Sequence, residues 1–183
     1  ESTGAPVTAL RLAFGGALVV AKEPGRAEEI FRGLAEGDPK LGAARLGLAS
    51  ALEARGKADL AKQELEKALV DLPDTPGLRH RLAGLLIRMG LKDEAMGHYE
   101  AEILAGKAAA SLRVAMATLA LDLDKVDMAQ AQLETVLAEY QGAPGALFAR
   151  ARLREAQGNL AAALQDYKRA LTGHGQTSEE GRA

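Results

Sequence analysis

Residues 61–73 read AKQELEKALVDLP, and the same pattern returns as AEEIFRGLAEGDP at 27–39, AMGHYEAEILAGK at 95–107, AQAQLETVLAEYQ at 129–141 and ALQDYKRALTGHG at 163–175. The opening alanines, Ala27, Ala61, Ala95, Ala129 and Ala163, are each 34 residues apart. Four residues on stands a large apolar side chain, Phe31, Leu65, Tyr99, Leu133 or Tyr167, and eight on stands Ala35, Leu69, Ile103, Leu137 or Leu171. Apolar residues at this spacing line one face of a helix. Self-similarity at such a period predicts stacked repeats of one supersecondary unit.

Working outward, a second helix in the same register precedes each segment. Its packing positions are Phe14/Gly15/Leu18, Leu48/Ala49/Leu52, Leu82/Ala83/Leu86, Met116/Ala117/Ala120 and, last, Arg150/Ala151/Arg154. The middle residue is Gly or Ala each time, so two helix backbones can approach closely at that level. Arg150 and Arg154 put polar groups at packing positions of the final repeat. Gly56, Gly90 and Gly158 fall between the two helices of their repeats, at the left-handed position that closes a helix, and Asp124 replaces glycine there in the fourth. Pro39 and Pro73 stop second helices, whereas Pro76 and Pro144 sit where first helices begin, with Thr75 expected as the N-cap before Pro76.

Composition agrees with an all-α protein. The 183 residues are 48% hydrophobic but 3% aromatic, without Trp, and are rich in Ala and Leu, a palette for helix-on-helix packing rather than for β-sandwiches. The formal charge of −2 is spread along the chain, so there is no basic footprint for nucleic acid or an anionic membrane. With no cysteine, disulfides, thiolate chemistry and Cys-based zinc sites are excluded, while cytoplasm and periplasm both stay open. The longest uncharged apolar run, LAFGGALVVA at Leu12–Ala21, is short of the roughly 20 residues of a membrane span. With Arg11 before it, this run also has the form of a signal-peptide core. The repeat register claims the same residues, and a chain starting at Glu1 without Met is expected to be a processed product or a piece of something longer.

The pattern resembles the tetratricopeptide repeat, a 34-residue helical hairpin with the motif W-x2-L-G-x2-Y, A-x3-F, then A and P. The resemblance covers about Thr8 to Gly175 as five repeats, 8–41, 42–75, 76–109, 110–143 and 144–177, after a lead-in at 1–7. The second repeat matches best, with Leu48, Ala49, Leu52, Ala61, Leu65, Ala68 and Pro73. Arg11, Arg45, Arg79 and Arg113 replace the frequent Trp, and Leu147 ends that column; Lys107 and Gln141 stand where a closing Pro is usual. The arginine stems are expected to pack on apolar neighbours, with their heads reaching solvent or an acid on the adjacent repeat. Pentatricopeptide RNA readers share the hairpin, but their 35-residue unit and the acidic balance here argue against that family.

The resemblance implies a right-handed α-α superhelix, a solenoid of about ten antiparallel helices, with the first helices lining its concave side. Stepping 100° per residue then gives a partner-binding face. It comprises Leu12 and Val19; Leu46, Ser50 and Glu53; His80, Arg81, Ile87 and Arg88; Val114, Thr118 and Leu121; and Phe148 with Arg152, Ala149 lying beside them. This mostly small, apolar groove suits an amphipathic helix or an extended apolar segment of a protein partner, and His80, Arg81 and Arg88 would meet an acidic group on it. The carboxylate clamp of some family members is absent, since Leu12 and Gly16, or Leu46 and Ser50, stand at its first positions. The first helix is apolar all round, and such a helix is normally buried, so either upstream repeats or a second copy is expected to cover it. The polar tail GHGQTSEEGRA from Gly173 is expected to be disordered.

No catalytic motif emerges. His80, His98 and His174 form no HExxH or HxxE pairing, so no metal site is expected, and no Walker loop, GxGxxG or GxSxG indicates a cofactor. FGGAL reads as close helix packing. The acid pairs Glu28/Glu29 and Glu64/Glu66 read as solvated outer faces. The sequence therefore points to a non-catalytic interaction scaffold for a protein or peptide segment within a larger assembly or export apparatus. The alternatives are an accessory domain of a longer enzyme, such as a transferase, or a homo-oligomeric structural module.

Overall fold

The computed structural model describes residues 4–75, 77–106 and 109–176. Among them are ten α-helices and no strand: α1 (Gly4–Val20), α2 (Pro24–Gly37), α3 (Gly42–Ala54), α4 (Ala58–Asp71), α5 (Leu78–Arg88), α6 (Lys92–Leu104), α7 (Ala110–Asp122), α8 (Val126–Glu139), α9 (Pro144–Ala156) and α10 (Leu160–Gln176). The even-numbered helices begin at Pro24, Ala58, Lys92, Val126 and Leu160, a constant step of 34 residues.

The chain forms two compact units, Glu1–Ala95 and Met96–Ala183, divided within α6. In the first, α1 packs on α2, α2 on α3, α3 on α4 and α4 on α5, with α1 and α5 also touching α3. In the second, α7, α8, α9 and α10 pack in sequence and α7 also touches α9. Close approach rests on the small residues. Ala27, Ala49, Ala61 and Ala83 have no exposed surface in the first unit, nor do Ala117, Ala129 and Ala151 in the second. Beside them, Leu48, Leu52, Leu65, Leu82 and Leu86, and Met116 and Leu133, form the two cores.

One turn geometry recurs at the period. Lys22, Gly56, Gly90, Asp124 and Gly158 all have positive φ. The next residue's N–H reaches back to close the helix: Glu23 to the Leu18 carbonyl at 2.9 Å, Lys57 to Leu52 at 2.9 Å, Leu91 to Leu86 at 2.9 Å, Lys125 to Ala120 at 2.8 Å and Asn159 to Arg154 at 2.8 Å. This is the Schellman closure. Lys22 and Asp124 hold a left-handed backbone that costs an L-residue about 1–2 kcal/mol, at φ +62° and +56°.

Several expectations need correcting. Phe14 is 51% exposed, because α1 packs only on α2 and α3 among the described helices, whereas its counterparts Leu48, Leu82 and Met116 are buried. Thr75 is not an N-cap: α5 starts at Leu78 behind Gly77, whose φ is +84°. The Thr75 side chain instead lies where a Cβ on Gly42 would come to 2.7 Å of its Cγ2. Pro76 and Lys107 lie outside the described residues. Helix α10 continues through residues 173–176 of the expected tail, and 177–183 lie outside the described residues. In FGGAL, an added Cβ on Gly15 would come within 2.7 Å of the Phe31 ring, but one on Gly16 meets nothing, so the packing reading holds for the first glycine alone. Of the arginine column, Arg45 pairs with Asp71 of its own repeat at 3.0 Å and donates to the Pro39 carbonyl of the preceding one at 3.1 Å, and Arg113 donates to Gln132 of its own repeat at 2.8 Å.

Candidate protein-binding faces of the first helices

Helix periodicity places one row of side chains of α1, α3 and α5 away from the second helices. Leu12, Val19, Leu46, Ser50, Glu53, Arg81 and Ile87 are part-exposed, and His80 and Arg88 are exposed. The first unit draws four of these together. The Glu53 carboxylate on α3 takes Arg81 of α5 at 2.7 Å and also pairs with Arg88, while Arg81 donates to the Ser50 hydroxyl at 3.1 Å. Ser50 in turn donates to the Leu46 carbonyl, 2.9 Å away. The two guanidiniums are thus part-neutralised by the chain's own acid. An acidic group on a partner would have to share or displace Glu53.

In the second unit, Val114, Thr118, Leu121 and Arg152 are part-exposed and Phe148 is exposed. Arg152 of α9 pairs with Asp122 of α7 at 3.0 Å, the same kind of link between successive first helices as Glu53 makes in the first unit. The Thr118 hydroxyl donates to the Val114 carbonyl at 2.9 Å. Ala149, expected on this face, is buried at 1% exposure; it stands three periods beyond Gly47, which lies against the Phe31 ring of the preceding second helix.

Phe148 belongs to a further feature. Its ring meets Tyr167 edge-on with centroids 5.5 Å apart, and the two line an apolar cavity of about 490 Å³ with Pro144, Gly145, Ala170 and Leu171. The Tyr167 hydroxyl donates to Glu155 at 2.8 Å, and that carboxylate raises the tyrosine pKa. The sequence reading gave Phe148 but not the cavity. The available signal was that Tyr167 and Leu171 stand one period beyond Leu133 and Leu137, which are buried.

Two charged clusters also escaped the sequence reading. Glu28 does not lie on a solvated face: it is buried and accepts from Arg32 at 2.7 Å, Arg55 at 2.6 Å and Lys57 at 3.4 Å. Burial pushes its pKa up, but the three cations outweigh that and hold it at about 2, against an ordinary 4.5. Arg150 and Arg154 are not orphaned at their packing positions either. Asp166, 1% exposed, takes Arg150 in a two-pronged pair at 2.7 and 2.8 Å and Arg154 at 2.7 Å. The hydrogen bond from Arg150 to Asp166 raises the arginine pKa further.

Among the described residues no group of three or more His, Asp or Glu could hold a metal ion, and no helix is long and apolar enough to cross a membrane. The geometry is that of a helical-repeat protein, paired helices recurring every 34 residues with one row of each first helix open. Models described as tetratricopeptide repeat match residues 18–76 and 114–178, and the chain belongs to the tetratricopeptide repeat family. Its fold is similar to a crystal structure of MamA, at 16% identity and a TM-score of 0.74 over 90% of this chain and 96% of that one. It is also similar to MamA from Desulfovibrio magneticus RS-1, at 12% identity and a TM-score of 0.75 over 92% and 96%. A further likeness is to a chain of the APC/C hetero-tetramer Cut9-Hcn1, at 16% identity and a TM-score of 0.70 over 87% of this chain and 30% of that one. No curated protein matches the sequence.

Proposed function

We propose that the chain is a non-catalytic protein-interaction scaffold that takes an apolar or amphipathic segment of a partner protein along the open faces of its first helices. One observation carries this reading: Leu12, Val19, Leu46 and Ile87 keep solvent contact on a single row in the first unit, beside the ion-paired Glu53, Arg81 and Arg88. Apolar side chains arranged around a few fixed charges suit a helix that presents alternate hydrophobic anchors. The polar groups would set its register. Val114, Leu121 and Phe148 offer a second row in the other unit, with Arg152 and Asp122 as its charged pair. Membership of a larger assembly, such as an export apparatus, fits a surface of this kind, and one similar fold is part of a hetero-tetramer.

The test compares Leu46→Asp and Ile87→Asp with Val70→Asp, a change at a highly exposed site on α4. All three should keep a helical circular-dichroism spectrum. Partner capture should be lost from the first two and kept by the third. Undiminished binding by both groove variants contradicts the assignment.

A further inference from the structure

Helices α1 and α10, each in its own unit, expose the two halves of an interface that the chain already uses internally. Gly47 of α3 lies against the Phe31 ring of α2, since a Cβ there would overlap the ring. This contact marks the face of a first helix that meets the preceding second helix. Ala44 and Ala51 share that face and are fully buried, as one helical turn on either side of Gly47 requires. In later first helices the same positions are buried as Leu78 and Leu85, Leu112 and Leu119, and Ala146 and Leu153. One period before Ala44, Gly47 and Ala51 stand Leu10, Ala13 and Ala17 of α1. Leu10 is 69% exposed and the other two are exposed.

The complementary half is on α10. Tyr167 stands four periods beyond Phe31, so it is the residue that in the first unit touches the next first helix. Here it lines the open 490 Å³ apolar cavity with Leu171, which is 75% exposed although its counterpart Leu137 on α8, a helix that packs on α9, is buried.

We infer that a second copy of this chain fills that cavity, its α1 docking on α10 as α3 docks on α2 and α9 on α8. Ala13 of one copy would sit over Tyr167 of the other, small enough to approach the ring as Gly47 approaches Phe31. Leu10 and Ala17 would cover Leu171 and Ala170. A second copy is the chosen occupant because both halves of the interface lie on one chain and continue a contact already present within it. Such a contact is head-to-tail, so each copy keeps one free half and association can propagate. It involves neither Leu46 nor Ile87, so it is tested apart from partner binding on the first unit's row, while Phe148 of the second row lines the same cavity.

The experiment uses the full chain in sedimentation equilibrium up to roughly 1 mM. The parent should show mass rising with concentration. Leu10→Asp and Leu171→Asp, at exposed sites, should each be monomeric alone. Mixed in equal amounts, they should form a one-to-one heterodimer, because one retains an intact α10 face and the other an intact α1 face. Ile87→Asp should associate like the parent. A parent that stays monomeric overturns the proposal and leaves α1 to a different protein. Association that survives Leu171→Asp but not Leu10→Asp overturns it in favour of an α1-to-α1 contact, and two monomeric variants that fail to pair also overturn it.

Discussion

Leu48 and Leu52 on α3 stand at the same places of the repeat as Arg150 and Arg154 on α9. The first pair is buried in an apolar seam against α4, where Ala61, Leu65 and Ala68 are also buried. The second pair converges on one buried carboxylate, Asp166 of α10. Both hairpins close on the same small pair, Ala49 with Ala61 and Ala151 with Ala163, all essentially unexposed. What the hairpin requires is therefore the small residues that set its spacing. The positions beside them accept a leucine pair, or two guanidiniums provided that an acid arrives from the facing helix.

The largest effect should come from breaking the charged seam. Asp166→Ala leaves two part-buried guanidiniums without their carboxylate and should destabilise the protein by about 3–5 kcal/mol in chemical denaturation, the range for removing one partner of a buried ion pair. Replacing all three, as Arg150→Leu, Arg154→Leu and Asp166→Ile, converts the last hairpin to the apolar type. Stability should then return to the parent level or exceed it by about 1–4 kcal/mol. A triple variant as unstable as Asp166→Ala would mean that the ion cluster determines the hairpin geometry and that the two seams are not equivalent.

The apolar half has its own weak point. Gly15→Ala or Gly47→Ala forces a methyl into the Phe31 ring and should cost about 1–3 kcal/mol by overpacking. Gly16→Ala meets open space and should stabilise by about 0.5–1 kcal/mol, since alanine is the better helix former. Equal effects at residues 15 and 16 would contradict the packing of α1 on α2.

Glu28 brings a charged cluster into the first unit and gives it a pH signature. Its folded pKa of about 2 lies below the ordinary 4.5, so its contribution is fully present above about pH 4.5 and is lost as pH falls towards 2. Glu28→Gln should lower stability at pH 7 by about 1–3 kcal/mol and flatten the decline between pH 4.5 and 2. The same acid slope in both proteins would remove Glu28 from the account of acid unfolding. A comparably small effect should be at the turn common to both units: Asp124→Gly relieves a left-handed backbone at φ +56°, part of which the extra chain entropy of glycine offsets, and should raise the melting temperature through about 0.5–1 kcal/mol.

Small residues at fixed offsets and apolar side chains at helical spacing made the hairpins and their period legible in the sequence, because both depend on contacts that recur in every repeat. Glu28 and Asp166 were not legible for the converse reason. Asp166 acts through two arginines of α9, and Glu28 through Arg55 and Lys57 of the α3–α4 turn as well as Arg32 of its own helix; neither acid recurs at its register position, where Gln132 and Glu64 replace Asp166. Exposure at the ends was legible in part. The all-apolar pattern of α1 announced a helix with apolar surface beyond its seam with α2, but whether Phe14 faced inward depended on which helices pack beside it. Arg81 is part-exposed and Arg88 exposed, yet their neutralisation by Glu53 needed the distance between α3 and α5.

Capture of a protein partner is the most direct test of the first-helix faces. The purified chain and its Ile87→Asp and Val70→Asp variants are each incubated with extract of the source cells, and bound proteins are quantified by mass spectrometry. At least one protein should be retained by the parent and by Val70→Asp and fall roughly tenfold or more with Ile87→Asp, a loss of about 1.4 kcal/mol in binding. Equal recovery by all three would contradict the assignment of the binding surface to the first helices.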